Sequence, residues 1–152
     1  MALVIEGEER IAASVQKVWE ALNDPEILKQ AIPGCQSLEK KSDTGMAATV
    51  LLKIGPIKAT FNGEVTLKNL KPPHSYTIQG EGKGGVAGFA KGGADVTLTA
   101  DGADTTILKY AAKAEVGGKI AQLGSRLIES TSKKLAGQFF STFGEKVGSP
   151  AP

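Results

Sequence analysis

Between Leu3 and Ile11 apolar and polar residues alternate. Leu3, Ile5, Gly7 and Ile11 share one side, and Val4, Glu6, Glu8 and Arg10 share the other. A period of two predicts a strand, with one conflict, because Glu9 falls on the apolar side. Ser14 then stands where a helix N-cap is expected, and Val15, Val18, Trp19 and Leu22 follow at helical spacing. Asn23-Asp24-Pro25 interrupts that stripe. Asp24 can cap a second short helix with Pro25 in its first position, where a missing N–H costs nothing. This helix would carry Ile27, Leu28 and Ala31 and end before Pro33-Gly34.

From Met46 onward the pattern is strand-like. Met46, Ala48, Val50, Leu52 and Ile54 share a face, and Gly55-Pro56 makes a turn. The alternation resumes from Ile57 to Lys68, from Tyr76 to Lys83, from Ala90 to Ala100 and from Leu108 to Val116. Lys71-Pro72-Pro73-His74 and Asp101-Gly102-Ala103-Asp104 read as connecting turns. One wet and one apolar face per strand predicts an antiparallel sheet covered on one side. The final segment returns to helical period, with Ile120, Leu123, Gly124, Leu127, Ile128, Thr131, Leu135 and Phe139 on one stripe. A continuous helix from Ile120 to Lys146 would be about 40 Å long. The fold class is therefore α+β: a first strand, two short helices, about six further strands, and a long C-terminal helix around which the sheet must curl.

The apolar face of that sheet is small. Gly63, Gly80, Gly82, Ala90, Gly92, Ala94, Ala112 and Ala114 all fall on the core side, where native packing normally uses large aliphatic groups. Two readings follow. Either the helix approaches the sheet closely and the strands bend at these positions, or sheet and helix enclose a cavity for an apolar ligand.

The chain has 152 residues, with 18 Lys and Arg against 16 Asp and Glu, so a single domain of residues 1–147 is expected, with residues 148–152 as a disordered tail. Basic residues are scattered and only Arg10 and Arg126 are arginines. No basic patch of the kind that binds nucleic acid is visible, so no nucleic-acid partner is expected. No apolar run approaches the ~20 residues of a membrane span, and the N-terminus lacks the basic region of a signal peptide. The expected location is cytoplasmic. With one cysteine, Cys35, and one histidine, His74, no disulfide, metal site or cofactor is expected.

Catalytic patterns are sparse. A Ser-His-Asp or Cys-His arrangement would have to use His74 in its Pro-rich loop. Cys35 reads better as a small buried residue. Gly80-Glu81-Gly82-Lys83-Gly84-Gly85 fits the G-x-G-x-x-G pattern, but a dinucleotide site needs a helix to follow, and Phe89 to Ala94 is not helical in pattern. Glu9 could be a pocket carboxyl or a strand-end residue in an ion pair. No catalytic residue is assigned.

Two segments carry a family resemblance. Ser14-x-x-x-Val18-Trp19-x-x-Leu22-x-Asp24-Pro25-x-x-Leu28-x-x-x-Ile32-Pro33-Gly34-Cys35-x-x-Leu38 resembles the N-terminal signature of the CoxG proteins associated with carbon monoxide dehydrogenase. Val116-Gly117-Gly118-Lys119-Ile120-Ala121-Gln122-Leu123-Gly124-x-Arg126-Leu127-Ile128 resembles the entry to their C-terminal helix. The resemblance implies a START-like, helix-grip fold of the SRPBCC superfamily, with about seven antiparallel strands curved around the helix. It implies a pocket for hydrophobic small molecules and association with molybdenum-containing carbon monoxide dehydrogenases and related hydroxylases, for which these proteins act as accessory factors in membrane recruitment. Because those enzymes pass electrons onward, a quinone is the favoured ligand. Longer members of the family carry a further C-terminal segment that can anchor in a membrane. This sequence ends without one, so peripheral contact at the inner membrane face is expected, through Val86, Phe89, Phe140 and Phe143.

Three functions compete: a non-catalytic binder of a quinone or lipid, a cyclase- or dehydratase-type enzyme using pocket acids, and a protein–protein adaptor with a filled core. A wholly apolar cavity favours the first. Convergence of Glu9, Tyr76 and Tyr110 favours the second. The expected pocket wall is Phe61, Ile78, Ala90, Ala94, Tyr110, Ala112, Leu123 and Leu127.

Overall fold

The computed structural model describes residues 2–148. Seven strands form one antiparallel sheet: β1 (Ala2–Ile11), β2 (Cys35–Lys40), β3 (Gly45–Ile54), β4 (Ile57–Lys71), β5 (Ser75–Lys83), β6 (Phe89–Ala100) and β7 (Thr106–Gly117). Their spatial order is β1-β7-β6-β5-β4-β3-β2. The first strand thus lies beside the last, and the chain crosses to the opposite edge through α1 (Val15–Leu22) and α2 (Pro25–Ala31). A long C-terminal helix, α3 (Ser125–Val147), packs against α2 and β1. The helix caps follow the local sequence. The Ser14 side chain accepts a hydrogen bond from the Lys17 N–H at 3.3 Å, and Asp24 accepts one from Glu26 at 3.0 Å.

Two elements depart from the sequence pattern. The strand β2 has no period-two signal because its register shifts between Cys35 and Ser37. The bulge puts its two half-buried residues, Cys35 and Leu38, three positions apart. The C-terminal helix is not continuous from Ile120. Lys119–Leu123 forms a short 3₁₀ turn, and Gly124 follows at φ +95°. That left-handed backbone cannot belong to an α-helix, so α3 starts at Ser125 and its 23 residues span about 35 Å. Of the expected tail, Gly148 caps α3 through its N–H to the Gly144 carbonyl, and residues 149–152 lie outside the described residues.

The core is split in two. One buried cluster includes Val18, Leu67, Tyr76, Val96, Leu98, Leu108 and Phe143, with Trp19 and Phe139 packed against it. The second comprises Phe61, Ala87, Val116, Ile120 and Ile128. At one end of the first, fully buried Thr106 donates its hydroxyl to the Ala13 carbonyl at 2.8 Å and ties β7 to the start of α1. Thr106→Val keeps the shape and strands that acceptor, so unfolding free energy is expected to fall by about 1–3 kcal/mol. Urea denaturation measures it, and an unchanged midpoint would mean that water replaces the hydroxyl.

Candidate ligand cavity

The two clusters fail to meet because of what the sheet places between them. Across β4, β5, β6 and β7, three neighbouring inward-facing rungs read Gly63, Gly82, Ala90, Val116; then Val65, Gly80, Gly92, Ala114; then Leu67, Ile78, Ala94, Ala112. Small residues from four strands thereby line up as one floor. Above it α3 presents Ile128, Thr131, Ser132 and Leu135, and the corner after α2 presents Ile32 and Pro33. The enclosed space is an open-mouthed cavity of about 540 Å³, within the range of small-molecule sites.

The glycines of this floor have different causes. A Cβ built on Gly82 meets nothing within 4 Å, and one on Gly63 meets only the Glu81 carbonyl at an ordinary 3.5 Å. These two positions leave space. A Cβ on Gly92 would run into the Lys113 carbonyl, and one on Gly80 into the Val65 side chain and the Glu64 carbonyl. Those two allow the bent strands to approach. The small residues thus leave space at some positions and allow close approach of strands at others.

The lining is almost wholly apolar. Its charged members, Glu81, Lys91 and Lys113, occupy outward positions of their strands and are exposed. Inward side chains contribute only two hydroxyls, Thr131 and Ser132, as polar groups. Two grooves on the outer sheet face have similar volume but are walled by charged side chains such as Glu39, Lys41, Glu64 and Lys91.

Of the expected wall, Phe61, Ile78, Ala90, Ala94 and Ala112 line the cavity. Tyr110, Leu123 and Leu127 do not. The Tyr110 ring lies over Gly7 of the neighbouring strand and stacks on Phe140, with ring centres 5.4 Å apart at 21°. Leu123 and Leu127 turn instead toward Gly55 in the β3–β4 turn; Leu123 lies in the 3₁₀ turn before α3, and Leu127 stands in the first turn of the helix. Ile32, Pro33, Val50 and Leu52 join the wall with Thr131, Ser132 and Leu135. Sequence reasoning misses this part of the lining, since its placement depends on where α3 crosses the sheet and on the corner after α2.

Glu9, Tyr76 and Tyr110 do not converge on the cavity, and none of them lines it. Glu9 faces inward, half-buried, one rung beyond Gly7. Tyr110 titrates above its ordinary value, through burial first and the Glu9 charge second. Tyr76 is 5% exposed and meets Trp19 edge-on at 5.4 Å. Burial holds its phenol well above the ordinary value of 10.0. The folded state therefore binds this proton more tightly than the unfolded chain does. The resulting stabilisation is complete below the ordinary value and is lost as pH rises past it. Stability against thermal unfolding is expected to fall above about pH 10, and Tyr76→Phe to remove much of that alkaline loss. An identical pH profile in the variant would contradict this.

Cys35 pairs with Val50, which in turn pairs with Phe61 near the start of β4, whereas His74 follows the far end of β4. They form no dyad. Burial raises the Cys35 thiol above its ordinary value, more than a backbone hydrogen bond from Ser37 and nearby Lys29 lower it. The glycine-rich stretch runs from β5 into a 3₁₀ turn, Gly85–Ala87, and then into β6, with no helix behind it. Ala87 anchors this loop in the core, leaving Val86 83% and Phe89 45% exposed. Phe140 is half-buried against Tyr110, and Phe143, expected near the surface, is fully buried against Phe139. Phe143 is thus removed from any surface contact by core packing at the helix end. Among the described residues no helix is long and apolar enough to cross a membrane.

Curved sheet, gripping helix and an internal apolar cavity define a START-like fold. A START superfamily protein from Mycobacterium smegmatis superposes with a TM-score of 0.72 at 14% identity, over 95% of this chain and 96% of that one. The Zhui aromatase/cyclase from Streptomyces sp. R1128 gives 0.71 at 11% identity, over 97% and 94%. At such identities the likeness concerns the fold alone. A conserved protein from Geobacillus kaustophilus is much nearer, with a TM-score of 0.89 and 32% identity over 95% of both chains. The model of the carbon monoxide dehydrogenase G-subunit (CoxG) family matches residues 7–148, and the chain belongs to that family. A comparison with curated proteins returns no match.

Proposed function

We propose that this protein binds an apolar small molecule, such as a quinone or a lipid, without transforming it. It thereby serves a molybdenum hydroxylase of the carbon monoxide dehydrogenase type, in membrane recruitment or electron transfer. The observation that carries this reading is the cavity, whose floor is kept open by small residues from four strands and whose inward side chains include no acid, base or thiol. Such a lining rewards burial of apolar surface and offers no group for proton transfer. Membership of the CoxG family supports the accessory role. Peripheral membrane contact through Val86 and Phe89 is part of the proposal, because their exposed apolar surface suits a brief docking rather than an anchor.

The test is native mass spectrometry of protein purified from its own cells, followed by organic extraction. A quinone or lipid bound near one-to-one is expected. A protein that is empty and also ignores added quinone in a fluorescence titration would favour the adaptor function, to be examined by pull-down with the hydroxylase.

A further inference from the structure

A second open cleft, of about 450 Å³, adjoins the apolar cavity. The two share Pro33, Leu52, Thr131 and Leu135 as a common wall. Beyond that wall the character changes, because Lys53, Lys58 and Lys134 line the cleft and, among the described residues, no carboxylate does. Lys53 and Lys58 are cross-strand partners at the end of the β3–β4 hairpin, an arrangement in which like charges repel. Lys134 has Ser130, Thr131, Gly137 and Gln138 as its neighbours along the helix face, none of them acidic. Elsewhere on the surface Lys41, Lys83, Lys109 and Lys133 each sit beside a carboxylate. Among the described residues the three cleft lysines form no such pair.

Positive charge gathered in a cleft that shares lining residues with an apolar cavity suits a ligand with two chemistries. We propose that the protein binds an anionic amphiphile, its apolar part in the cavity and a carboxylate or phosphate head among Lys53, Lys58 and Lys134. This rests on the cavity reading above and narrows its ligand to one with an acidic head. The head exchanges water for charge-assisted hydrogen bonds from ammonium groups and relieves the repulsion between Lys53 and Lys58. The tail supplies most of the affinity by burial.

The probes are cis-parinaric acid and its methyl ester, which share one fluorescent chain and differ in head charge. Wild type is expected to bind the acid on the order of tenfold more tightly at low salt, with the advantage shrinking as salt is added. The triple variant Lys53→Gln, Lys58→Gln, Lys134→Gln is expected to bind acid and ester alike, at the wild-type ester affinity and with unchanged melting temperature. Equal binding of acid and ester by wild type overturns the acidic head and leaves the apolar cavity standing. Binding of neither probe overturns both. A preference for the acid that survives the triple substitution places the head elsewhere and overturns the assignment. A charge effect seen only with phosphatidylglycerol vesicles, never with monomeric parinarate, overturns it in favour of a membrane contact.

Discussion

Gly82→Leu is expected to weaken binding of a neutral apolar probe such as Nile red by about a hundredfold or more, while the fold melts no lower than wild type. A leucine side chain at this position projects into space that a Cβ enters without meeting any atom within 4 Å. It occupies volume over the cavity floor, between Gly63 and Ala90 on the same rung. Displacing three or four methylene groups of ligand at ~0.8 kcal/mol each gives that hundredfold loss. Replacing glycine inside a strand also removes a conformational penalty of roughly 0.5–1 kcal/mol, so stability is expected to hold or rise. Ala112→Leu, two rungs away, should act on binding in the same direction. The contrast is Gly92→Ala, where the added methyl would strike the Lys113 carbonyl and overpacking is expected to cost about 1–3 kcal/mol. Fluorescence titration and thermal melts of the three variants separate space from close approach. Undiminished Nile red binding by both leucine variants would mean that the ligand site lies outside this cavity.

Phe143→Ala is expected to be the most damaging single truncation. Phe143 is fully buried and stacks on Phe139, with ring centres 5.6 Å apart, and Phe139 in turn meets Phe140 edge-on at 5.0 Å. This aromatic run joins the end of α3 to the cluster of Leu108, Leu98 and Val18. Truncation removes a ring from a site bounded by rigid strands on one side and α1 on the other, so collapse is limited. A loss of about 3–5 kcal/mol follows, a large part of the 5–15 kcal/mol that typically holds such a domain. The melting temperature should drop on the order of 10 °C. Val86→Ala, at a site 83% exposed, should change it little. A Phe143→Ala protein that melts with wild type would mean that α3 does not depend on this packing.

Much of the architecture is legible in the sequence because alternation and helical spacing are local signals. The strands from Met46 to Val116, the Ser14 and Asp24 caps and the grip of a C-terminal helix all follow from residues within a few positions of one another. The strand β2 is not legible as alternation, because a bulge between Cys35 and Ser37 removes the period by which strands are recognised. The start of α3 is not legible either. Gly124 sits in register with the apolar stripe, and only its φ of +95° shows that it ends one element and precedes another.

Sequence alone determined that the inward face is poor in volume. Gly63, Gly82, Ala90, Ala94 and Ala112 can be assigned to one side of their strands from parity, and parity does not depend on distant contacts. Which of these small residues hold a cavity open and which let backbones meet was decided by the tertiary structure. That distinction depends on pairing registers between strands far apart in sequence and on the curvature they produce. The same holds for the helix side. Because the break at Gly124 moves the start of α3 to Ser125, Leu123 lies before the helix and faces Gly55 with Leu127, and the wall is met further along, at Thr131 and Leu135. The lysine-lined cleft exists only where the hairpin of β3 and β4, the corner after α2 and the middle of α3 are brought together. No local pattern encodes that meeting, since charge on each separate segment reads as an ordinary solvated face.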